Sequence, residues 1–433
     1  NYCADFCRFF CINCKLLLQS YYNSIIKGTM MAKAKKSKKE EDQLNDFTAD
    51  LIKSLNKERG ARVAYNLSTD ESPTHVSRWI STGSKQLDYI ISNQKDGGLP
   101  EGRIVEIFGP PSIGKSHIAT QIAKSTQQMG GIVVYIDTEN ATSVENLRML
   151  GVDITKRFVY VDTHCTEEVL SIAESTIIKA KAMDKDVPVT IIWDSVAATS
   201  PKAELTGDYD KESIGLQARA ISKGMRKITG VIANEKVLMV CLNQIRTKVG
   251  VMYGDPTTTP GGMAIPFHSS VRIKLGAGSQ ILNKDKEPIG INVSAKTIKN
   301  KVSAPFRTCN FEIHFGKGIK EHEQMFDLLR KHGPEEIGNY HIEVSGTGAW
   351  KNLTVATLDT GEVIVDKKFY KADFDQIVNH PEFGQYVDML LEKAMIRKNE
   401  VDDPDIDPES YSEIQEVARQ VMDTHEDAFE MLK

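Results

Sequence analysis

The sequence has no uninterrupted apolar run long enough to cross a bilayer, and this excludes a membrane-spanning helix within it. It also lacks an excess of charge of one sign, because 54 Lys and Arg residues stand against 59 Asp and Glu residues, for a formal net charge of −5. A globally basic nucleic-acid binder is therefore excluded, and any nucleic-acid surface must be local. The 433 residues, 40% hydrophobic and 26% charged, suffice for one large globular domain and smaller ones.

Cysteine is also scarce, with seven residues in the chain. Three are scattered, as in a reducing compartment: Cys165, Cys241 and Cys309. The other four crowd the first fourteen residues: Cys3, Cys7, Cys11 and Cys14. Their spacing is not typical of a zinc site, and a lysine-rich start follows Met30-Met31. We interpret residues 1–30 as a non-native or disordered leader. A secretory signal is the weaker alternative, because Arg8 and Lys15 interrupt its apolar stretch.

One loop organises the rest of the chain. It follows an apolar run at residues 104–108 and precedes a segment from His117 in which Ile118 and Ile122 have helical spacing. The loop residues are Gly109, Pro110, Pro111, Ser112, Ile113, Gly114, Lys115 and Ser116. Strand, glycine loop and helix are the context that the phosphate-loop pattern G-x-x-x-x-G-K-[ST] requires. The alternative is a glycine turn that happens to carry a lysine.

A phosphate loop binds phosphate oxygens with its backbone N–H groups and with the N-terminus of the following helix. Lys115 would then place a positive charge at the outer phosphates, and Ser116 would offer its hydroxyl to Mg²⁺. The loop therefore predicts a bound nucleotide with magnesium.

Acidic residues follow the next two predicted strands. A strand at Gly131–Asp137 leads to Glu139, and a strand at Val187–Trp193 leads to Asp194. Carboxylates past the ends of parallel strands point into the crevice where ligands bind. Glu139 could deprotonate the water that attacks the terminal phosphate, or it could cap the next helix, and its position alone does not choose. Asp194 fits the Walker B role of orienting Mg²⁺, a weak pattern that the upstream loop strengthens.

A fourth predicted strand, Val237–Leu242, ends in Asn243-Gln244, where a neutral amide can contact a terminal phosphate without adding negative charge. From Trp79 onward apolar runs alternate with helical patterns. This alternation predicts an α/β fold with a mainly parallel central sheet flanked by helices.

Two long segments with little apolar periodicity lie at 205–213 and 245–262. The first precedes a helix that carries basic residues: Arg219, Lys223, Arg226 and Lys227. Long loops in compact domains tend to be functional or disordered. Two loops beside a basic helix could form a channel for single-stranded DNA, or they could be ordinary surface loops beside a solvated helix face.

Residues 31–78 form the segment before the core. A basic arm leads into a helix that starts near Asp42, and a polar linker at 68–77 follows. One face of this helix is apolar: Leu44, Phe47, Leu51, Ile52 and Leu55. The face must be buried somewhere, either on its own domain or on a neighbouring subunit.

The chain from about Trp79 to Gly318 resembles the core of the RecA recombinase family. The matching stretches are Ile80–Ser84, Gly97–Pro100, Gly102–Ile107, Leu150–Asp153, Asp194–Ala198, Pro201–Glu204, Asn243–Arg246 and Lys299–Phe306. Asn-Gln-Ile-Arg followed by the long Gly/Thr loop is particularly specific. The resemblance implies a RecA-like P-loop ATPase core at 79–320, with an N-terminal protomer-docking helix in 31–78 and a small α+β C-terminal domain at 321–400.

The resemblance also assigns roles. Glu139 is the expected catalytic base, assisted by Lys115 and by Gln244, which senses the terminal phosphate. Nucleotide contacts are expected from the loop 109–116, His117 and Asp194, and metal contacts from Ser116 and Asp194. Lys299 and Lys301 align with lysines that reach the nucleotide of the adjacent subunit, so ATP lies between protomers. The positions that align with DNA contacts are Ile214, Arg219, Ser222, Arg226, Arg246, Thr258, Gly261 and Gly262.

Four positions depart from the family pattern. Pro111 replaces an acidic residue in the phosphate loop. Ser143 and Asn146 stand where an Asp and an aromatic residue are expected near the adenine, so nucleotide selectivity is open. Pro266 replaces a lysine before Phe267, which puts one intersubunit contact in doubt.

Beyond Glu321 the sequence is closer in character to bacteriophage recombinases of the UvsX type, which indicates a phage or mobile-element member. Its recognisable patterns are a family-like turn, a β-rich stretch and two helical stretches: Gly346–Trp350, Thr354–Val365, Phe374–Val378 and Phe383–Met395. The tail at 401–433 is acidic. Such tails are usually just solvated, but this one could compete with DNA for the basic channel.

The resemblance implies a DNA-dependent ATPase that forms helical filaments on single-stranded DNA and catalyses homologous pairing and strand exchange in recombination and repair. Its cofactors would be ATP and Mg²⁺. Its partners would be homologous duplex DNA, further copies of itself, and single-strand-binding and mediator proteins, but no membrane. It would work in the cytoplasm of a bacterium or a phage-infected host. The alternatives are a ring helicase, disfavoured by the segment 243–262 and the N-terminal helix, and a nucleotide-gated DNA-binding scaffold, disfavoured by Glu139.

Overall fold

The computed structural model describes residues 47–60, 63–67, 74–208, 215–247 and 257–397. The chain divides into two compact units, residues 1–75 and 76–433. The predicted leader, the acidic tail, Ile214 and parts of both predicted loops lie outside the described residues.

The first unit contains a helix, α1, at residues 47–59. Asn56 fixes the chain beyond its end, because its Oδ1 accepts hydrogen bonds from the backbone N–H groups of Val63 (2.7 Å) and Ala64 (2.8 Å). Three apolar side chains of one helix face are exposed: Phe47, Leu51 and Leu55. The predicted amphipathic helix is therefore present, and its first predicted apolar residue, Leu44, lies outside the described residues.

The second unit alternates strands and helices. Its strands are β1 (Trp79–Ile80), β2 (Leu99–Pro100), β3 (Ile104–Gly109), β4 (Ile132–Asp137), β5 (Phe158–Asp162), β6 (Val189–Asp194), β7 (Leu238–Gln244), β8 (Arg246–Thr247), β9 (Thr257–Thr258), β10 (Val271–Leu282), β11 (Pro288–Asn300), β12 (Thr308–His314), β13 (Gly318–Lys320), β14 (Glu335–Ile337), β15 (Tyr340–Ser345), β16 (Trp350–Thr357) and β17 (Val363–Tyr370).

Most helices of this unit lie between those strands, and the last two follow β17. They are α2 (Lys85–Ser92), α3 (Lys115–Gln128), α4 (Val144–Met149), α5 (Thr166–Met183), α6 (Lys202–Leu205), α7 (Leu216–Asn234), α8 (Ala264–His268), α9 (His322–His332), α10 (Phe374–Val378) and α11 (Gly384–Met395). Short 3₁₀ turns occur at Val196–Ala198 and Lys371–Asp373.

Nine strands form the central sheet, in the order β13-β12-β11-β10-β3-β7-β6-β4-β5. The strands from β10 to β5 pair in parallel, and β11, β12 and β13 add an antiparallel edge. Strands β3, β6 and β7 are almost wholly buried, which explains their continuous apolar sequences. The predicted α/β fold with a mainly parallel sheet is confirmed.

Successive side chains of the sheet divide between two hydrophobic clusters. Val105 and Ile107 pack with Ile118 of α3, whereas Ile104 packs with Val169 of α5 and with α7. This division follows from the two-residue period of a strand, which sends neighbouring side chains to opposite faces. Helices therefore cover both faces of the sheet.

The C-terminal region adds a four-stranded antiparallel sheet, β14-β15-β16-β17, beside α9, α10 and α11. Its buried side chains, among them Phe326 and Val387, belong to the same hydrophobic cluster as α3. Glu321 also ties it to the core, because its buried carboxylate accepts hydrogen bonds from Ser84 Oγ (2.6 Å) and Lys85 N (2.5 Å) at the start of α2. The predicted small α+β region is thus present.

Several predicted strand limits were wrong. The strand predicted from Val187 begins at Val189, after Pro188, which has no N–H group to donate. The strand predicted to end at Leu242 continues to Gln244, because its parallel pairing with β3 continues. The β-rich stretch predicted from Thr354 is wider and comprises β16 and β17, which pair with each other.

Candidate nucleotide and DNA-binding site

The phosphate loop connects β3 to α3. Ser112 and Gly114 within it have left-handed backbone conformations, with φ of 57° and 94°. The left-handed backbone favours glycine at position 114, where a Cβ atom would also lie 2.2 Å from Ile313 Cδ1 and displace it. Helix α3 has no side-chain cap and no acidic residue in its first turn. Its N-terminal N–H groups are therefore free of a competing carboxylate and suit an anion.

Lys115 is the first residue of α3 and is only 9% exposed. Its Nζ donates to the carbonyl oxygens of Gly109 (3.2 Å) and Pro110 (2.8 Å). Burial lowers the pKa of Lys115, and the charges of Asp194 and Glu139 oppose this effect. The ammonium group is thus held inside the loop, where phosphate oxygens of a nucleotide would meet it.

Asp194 ends β6 and faces the start of α3. Its carboxylate accepts hydrogen bonds from Tyr135 Oη (2.7 Å) and from the Ser116 hydroxyl. Burial raises the pKa of Asp194, and these two hydrogen bonds oppose the rise. A hydroxyl and a carboxylate side by side are oxygen donors of the kind that Mg²⁺ prefers, so the residues present fit that ion.

His117 lies in the first turn of α3. Its Nε2 atom is buried without a hydrogen-bond partner among the described residues. Burial lowers the pKa of His117 to about 4, so the imidazole is neutral at pH 7. The ring nitrogen is therefore available to a ligand, and the predicted contact of His117 with the nucleotide stays a prediction.

Glu139 meets groups from two other strands. Its Oε1 accepts hydrogen bonds from Ser195 Oγ (2.5 Å) and from Gln244 Nε2 (3.3 Å). Glu139 follows β4, Ser195 follows β6 and Gln244 ends β7, and these strands are neighbours in the sheet. The sheet therefore brings Glu139 and Gln244 together, although they are 105 residues apart in the sequence.

A small cavity of about 120 Å³ opens beside this group. Its lining residues are Ser116, Thr120, Tyr135, Asp137, Glu139, Ala141, Thr142, Ser143, Asn146 and Asp194. Ser143, one of the two departures from the family pattern here, caps α4 by accepting a hydrogen bond from Asn146 N (3.2 Å). The serine therefore has a helix-capping role that the sequence comparison did not reveal.

Asn243, the residue before Gln244, is fully buried. Its Nδ2 donates to Glu106 Oε1 (3.0 Å) and to the carbonyl oxygen of Pro260 (3.1 Å). Glu106 is itself paired with Arg272 (2.5 Å). The strand that ends in Gln244 is thus linked directly to the end of the second predicted loop.

The candidate DNA residues lie on α7 and around this loop. Arg219, Ser222 and Arg226 have i, i+3, i+7 spacing, and both arginines are exposed. Arg246 and Thr258 face each other across β8 and β9. Ile214 lies outside the described residues.

Gly261 and Gly262 pack against α7 with φ of 87° and 72°. A Cβ atom on Gly261 would lie 2.8 Å from Ile221 Cδ1, and one on Gly262 would lie 3.0 Å from Ala218 Cβ. The end of the second loop is therefore in close contact with the helix that carries the candidate arginines.

Lys299 and Lys301 lie away from the chain's own phosphate loop. Lys299 Nζ donates to the carbonyl oxygens of Pro266 (2.7 Å) and Phe267 (2.9 Å), and burial lowers its pKa, with the neighbouring charge of Lys301 adding to the effect. Lys299 pairs with Arg272 at the beginning of β10, which is parallel to β3. The lysines are thus at the amino ends of the parallel strands, whereas the chain's own phosphate loop follows the carboxyl end of β3.

Sequence reasoning missed four residues of the site: Tyr135, Asp137, Tyr160 and Ser195. Ser195 follows an apolar strand, and Asp137 ends one, so their places at strand ends were a usable signal. The two tyrosines gave no signal, because their hydroxyl partners are residues of other strands.

A phosphate loop joins a strand to a helix, one carboxylate accepts a hydrogen bond from the loop's serine, and another carboxylate follows a neighbouring strand. This arrangement defines a P-loop nucleotide-binding protein. No helix in the described ranges has the length and apolarity to cross a membrane. A family model of the RecA N-terminal domain matches residues 48–320. The chain therefore belongs to the RecA family.

Curated relatives extend this result over most of the chain. The RecA protein of Chlorobaculum tepidum is 38% identical over 322 residues, which are 74% of this chain and 87% of the relative. That of Staphylococcus carnosus is 36% identical over 345 residues, 80% of this chain and 89% of the relative. The similarity supports a RecA-type function in recombination and repair, and filament formation and strand exchange are typical of the family. A bacteriophage origin stays a prediction.

Proposed function

We propose that this chain is a DNA-dependent ATPase that assembles on single-stranded DNA, with ATP held between adjacent copies, and promotes homologous pairing and strand exchange. The observation that carries the proposal is the convergence of Glu139, Ser195 and Gln244 beside the phosphate loop. Family membership supports the ATP, DNA and self-assembly parts.

Each residue of the site has its own role in hydrolysis. Glu139 is exposed and takes the proton of the attacking water, while Lys115 balances charge on the outer phosphates. Ser116 and Asp194 would hold Mg²⁺, which offsets negative charge on the phosphates when bound. Gln244 donates an amide to Glu139 and is free to change partner when the terminal phosphate is present or lost.

A path from nucleotide to DNA runs through neighbouring residues of β7. Gln244 contacts Glu139, and the adjacent Asn243 holds Pro260 at the end of the second loop. The next residues, Gly261 and Gly262, pack against α7. A change at the terminal phosphate therefore shifts the segment that is proposed to contact DNA.

The lysines complete the site of another copy. Lys299 and Lys301 lie at the amino ends of the parallel strands, away from the chain's own phosphate loop, and this position supports a role at the nucleotide of another copy. Hydrolysis then depends on assembly, because one copy alone lacks part of the charge that stabilises the transferring phosphoryl group.

Glu139→Gln tests the central role. We expect this variant to keep filament assembly but to lose at least about 100-fold in turnover, because a neutral amide cannot accept the proton. Lys115→Ala is the comparison variant, and it should lose nucleotide-dependent assembly as well. Turnover that survives in Glu139→Gln would show that Glu139 is not the base. Normal ATP-dependent filaments in Lys115→Ala would contradict the proposed dependence of assembly on nucleotide bound at the phosphate loop.

Electron microscopy with single-stranded DNA and a non-hydrolysable ATP analogue separates the architectures. We expect helical filaments. Closed rings would favour the helicase alternative, and unassembled protein would contradict the proposal. DNA-bound filaments with negligible ATP turnover would favour the scaffold.

A further inference from the structure

The loop that carries Glu139 is held by a buried carboxylate that the proposed hydrolysis does not use. Asp137 ends β4 and is 1% exposed. Its Oδ1 accepts a hydrogen bond from Glu139 N (3.0 Å), and its Oδ2 accepts one from Thr142 N (2.9 Å). Asp137 thus binds the backbone on both sides of the loop's turn, and it fixes where the Glu139 side chain starts.

Tyr160 holds this carboxylate from the neighbouring strand. Its hydroxyl donates to Asp137 Oδ2 (3.0 Å), the same oxygen that binds Thr142 N. Tyr160 lies on β5, the edge strand next to β4, and its own backbone pairs with Tyr135. Burial opposes the ionised form of Asp137, but the hydrogen bonds from Thr142, Glu139 and Tyr160 outweigh it and lower the pKa of Asp137.

Other hydrogen bonds hold Thr138, the residue between Asp137 and Glu139. Thr138 Oγ1 donates to Ser195 O (2.8 Å) and accepts from Ser195 N (2.8 Å). His164 Nδ1 lies 2.8 Å from Thr138 O. The residue before Glu139 is therefore anchored independently of Tyr160. Removing the Tyr160 hydroxyl should loosen the Asp137 carboxylate, and with it the backbone of Glu139 and Thr142, without detaching the whole loop.

We propose that Tyr160 is a positioning residue for ATP hydrolysis: its hydroxyl, acting through Asp137, fixes the backbone of Glu139 so that the Glu139 carboxylate faces the attacking water. The proposal rests on the proposed function of Glu139 as base. Its physical reason is that a displacement of about 1 Å at a catalytic group can cost 10²-fold in rate. A role in packing alone is the alternative, and the 45% exposure of Tyr160 disfavours it.

Tyr160→Phe is the direct test, because it removes the hydroxyl and keeps the ring. We expect kcat of DNA-dependent ATP hydrolysis to fall about fivefold to tenfold while KM for ATP and the thermal midpoint change little. Tyr370→Phe is the matched control, since Tyr370 is also a strand tyrosine, is 46% exposed, and lies in the C-terminal sheet. This control should retain wild-type kcat. Unchanged kcat in Tyr160→Phe would overturn the proposal, as would an equal loss in both variants.

A double-mutant cycle then separates positioning from other effects. If Tyr160 acts through Glu139, adding Tyr160→Phe to Glu139→Gln should not lower the residual single-turnover rate further. A further fivefold to tenfold loss in the double variant would show that Tyr160 acts by another route and would overturn the proposal. Failure of the proposed function looks different, because Glu139→Gln alone would then hydrolyse ATP at the wild-type rate.

Discussion

Single residues show how burial sets protonation in this fold. Asp88 of α2 is buried, and its carboxylate accepts hydrogen bonds from Thr82 N (2.8 Å) and Ser81 Oγ (2.5 Å). Burial raises the pKa of Asp88 from 3.8 to about 7, and the nearby charge of Glu321 adds to the rise. Because the folded pKa lies above the unfolded one, the contribution of Asp88 to stability is complete below 3.8 and is lost as the pH rises to about 7.

Asp88→Asn should therefore flatten the pH dependence of stability. A shift of this size corresponds to a contribution on the order of 4 kcal/mol lost across the window. We expect the wild-type thermal midpoint to fall between about pH 4 and pH 7 relative to that of Asp88→Asn, which has no proton to lose. Thermal melts across this range measure the difference, with the exposed Asp285→Asn as control. Parallel curves for wild type and Asp88→Asn would contradict the assignment.

At the scale of elements, the contact between α7 and the end of the second loop depends on two glycines. Both have left-handed backbone conformations, and at Gly262 a Cβ atom would meet Ala218 Cβ at 3.0 Å. An L-residue there is strained and also too close to the helix. The position of the candidate DNA segment beside Arg219 thus depends on the absence of a side chain.

Gly262→Ala should weaken binding to single-stranded DNA by about tenfold, because the loop end must move away from α7. Fluorescence anisotropy with a labelled oligothymidine and a non-hydrolysable ATP analogue measures this. Gly230→Ala is the matched control on α7, because a Cβ atom there meets nothing within 4 Å. It should bind DNA normally and be slightly more stable, since alanine favours helix. Equal DNA affinity in the two variants would exclude a role for Gly262.

The elements also show what a sequence can predict. The order of the apolar strands could be predicted, because parallel strands buried on both faces have continuous apolar sequences. The phosphate loop and the acidic residues were then recognised by their places at the ends of these strands. The separate roles of Glu139 and Gln244 came only from the family resemblance, and their hydrogen bond to each other could not be predicted before the sheet order was known. The Tyr160–Asp137 and Asn243–Pro260 hydrogen bonds could not be read, because they depend on register between strands distant in sequence.

At the scale of the whole molecule, the exposed face of α1 remains without an assigned partner. Leu51 and Leu55 lie one helical turn apart on this face and are exposed, whereas Lys53 lies on the opposite face. Exposed apolar stripes of this kind mark interaction surfaces. If this face docks on a neighbouring subunit, polar residues on it would prevent assembly. If it folds back on its own chain, they would lower the stability of the single chain.

The double variant Leu51→Gln, Leu55→Gln should abolish ATP-dependent filaments on single-stranded DNA, measured by electron microscopy, and leave the thermal midpoint of the unassembled protein unchanged. The physical reason is that a face used only between copies contributes to assembly and not to the fold of one chain. Lys53→Gln with Lys57→Gln is the matched control on the same helix and should assemble normally. If the leucine variant instead melts several degrees lower and still forms filaments, the helix packs on its own chain. Burying a leucine contributes about 1.5–3 kcal/mol wherever it packs, so either role should produce a measurable loss in the leucine variant. If both its filaments and its thermal midpoint match those of the control, the apolar face has neither role.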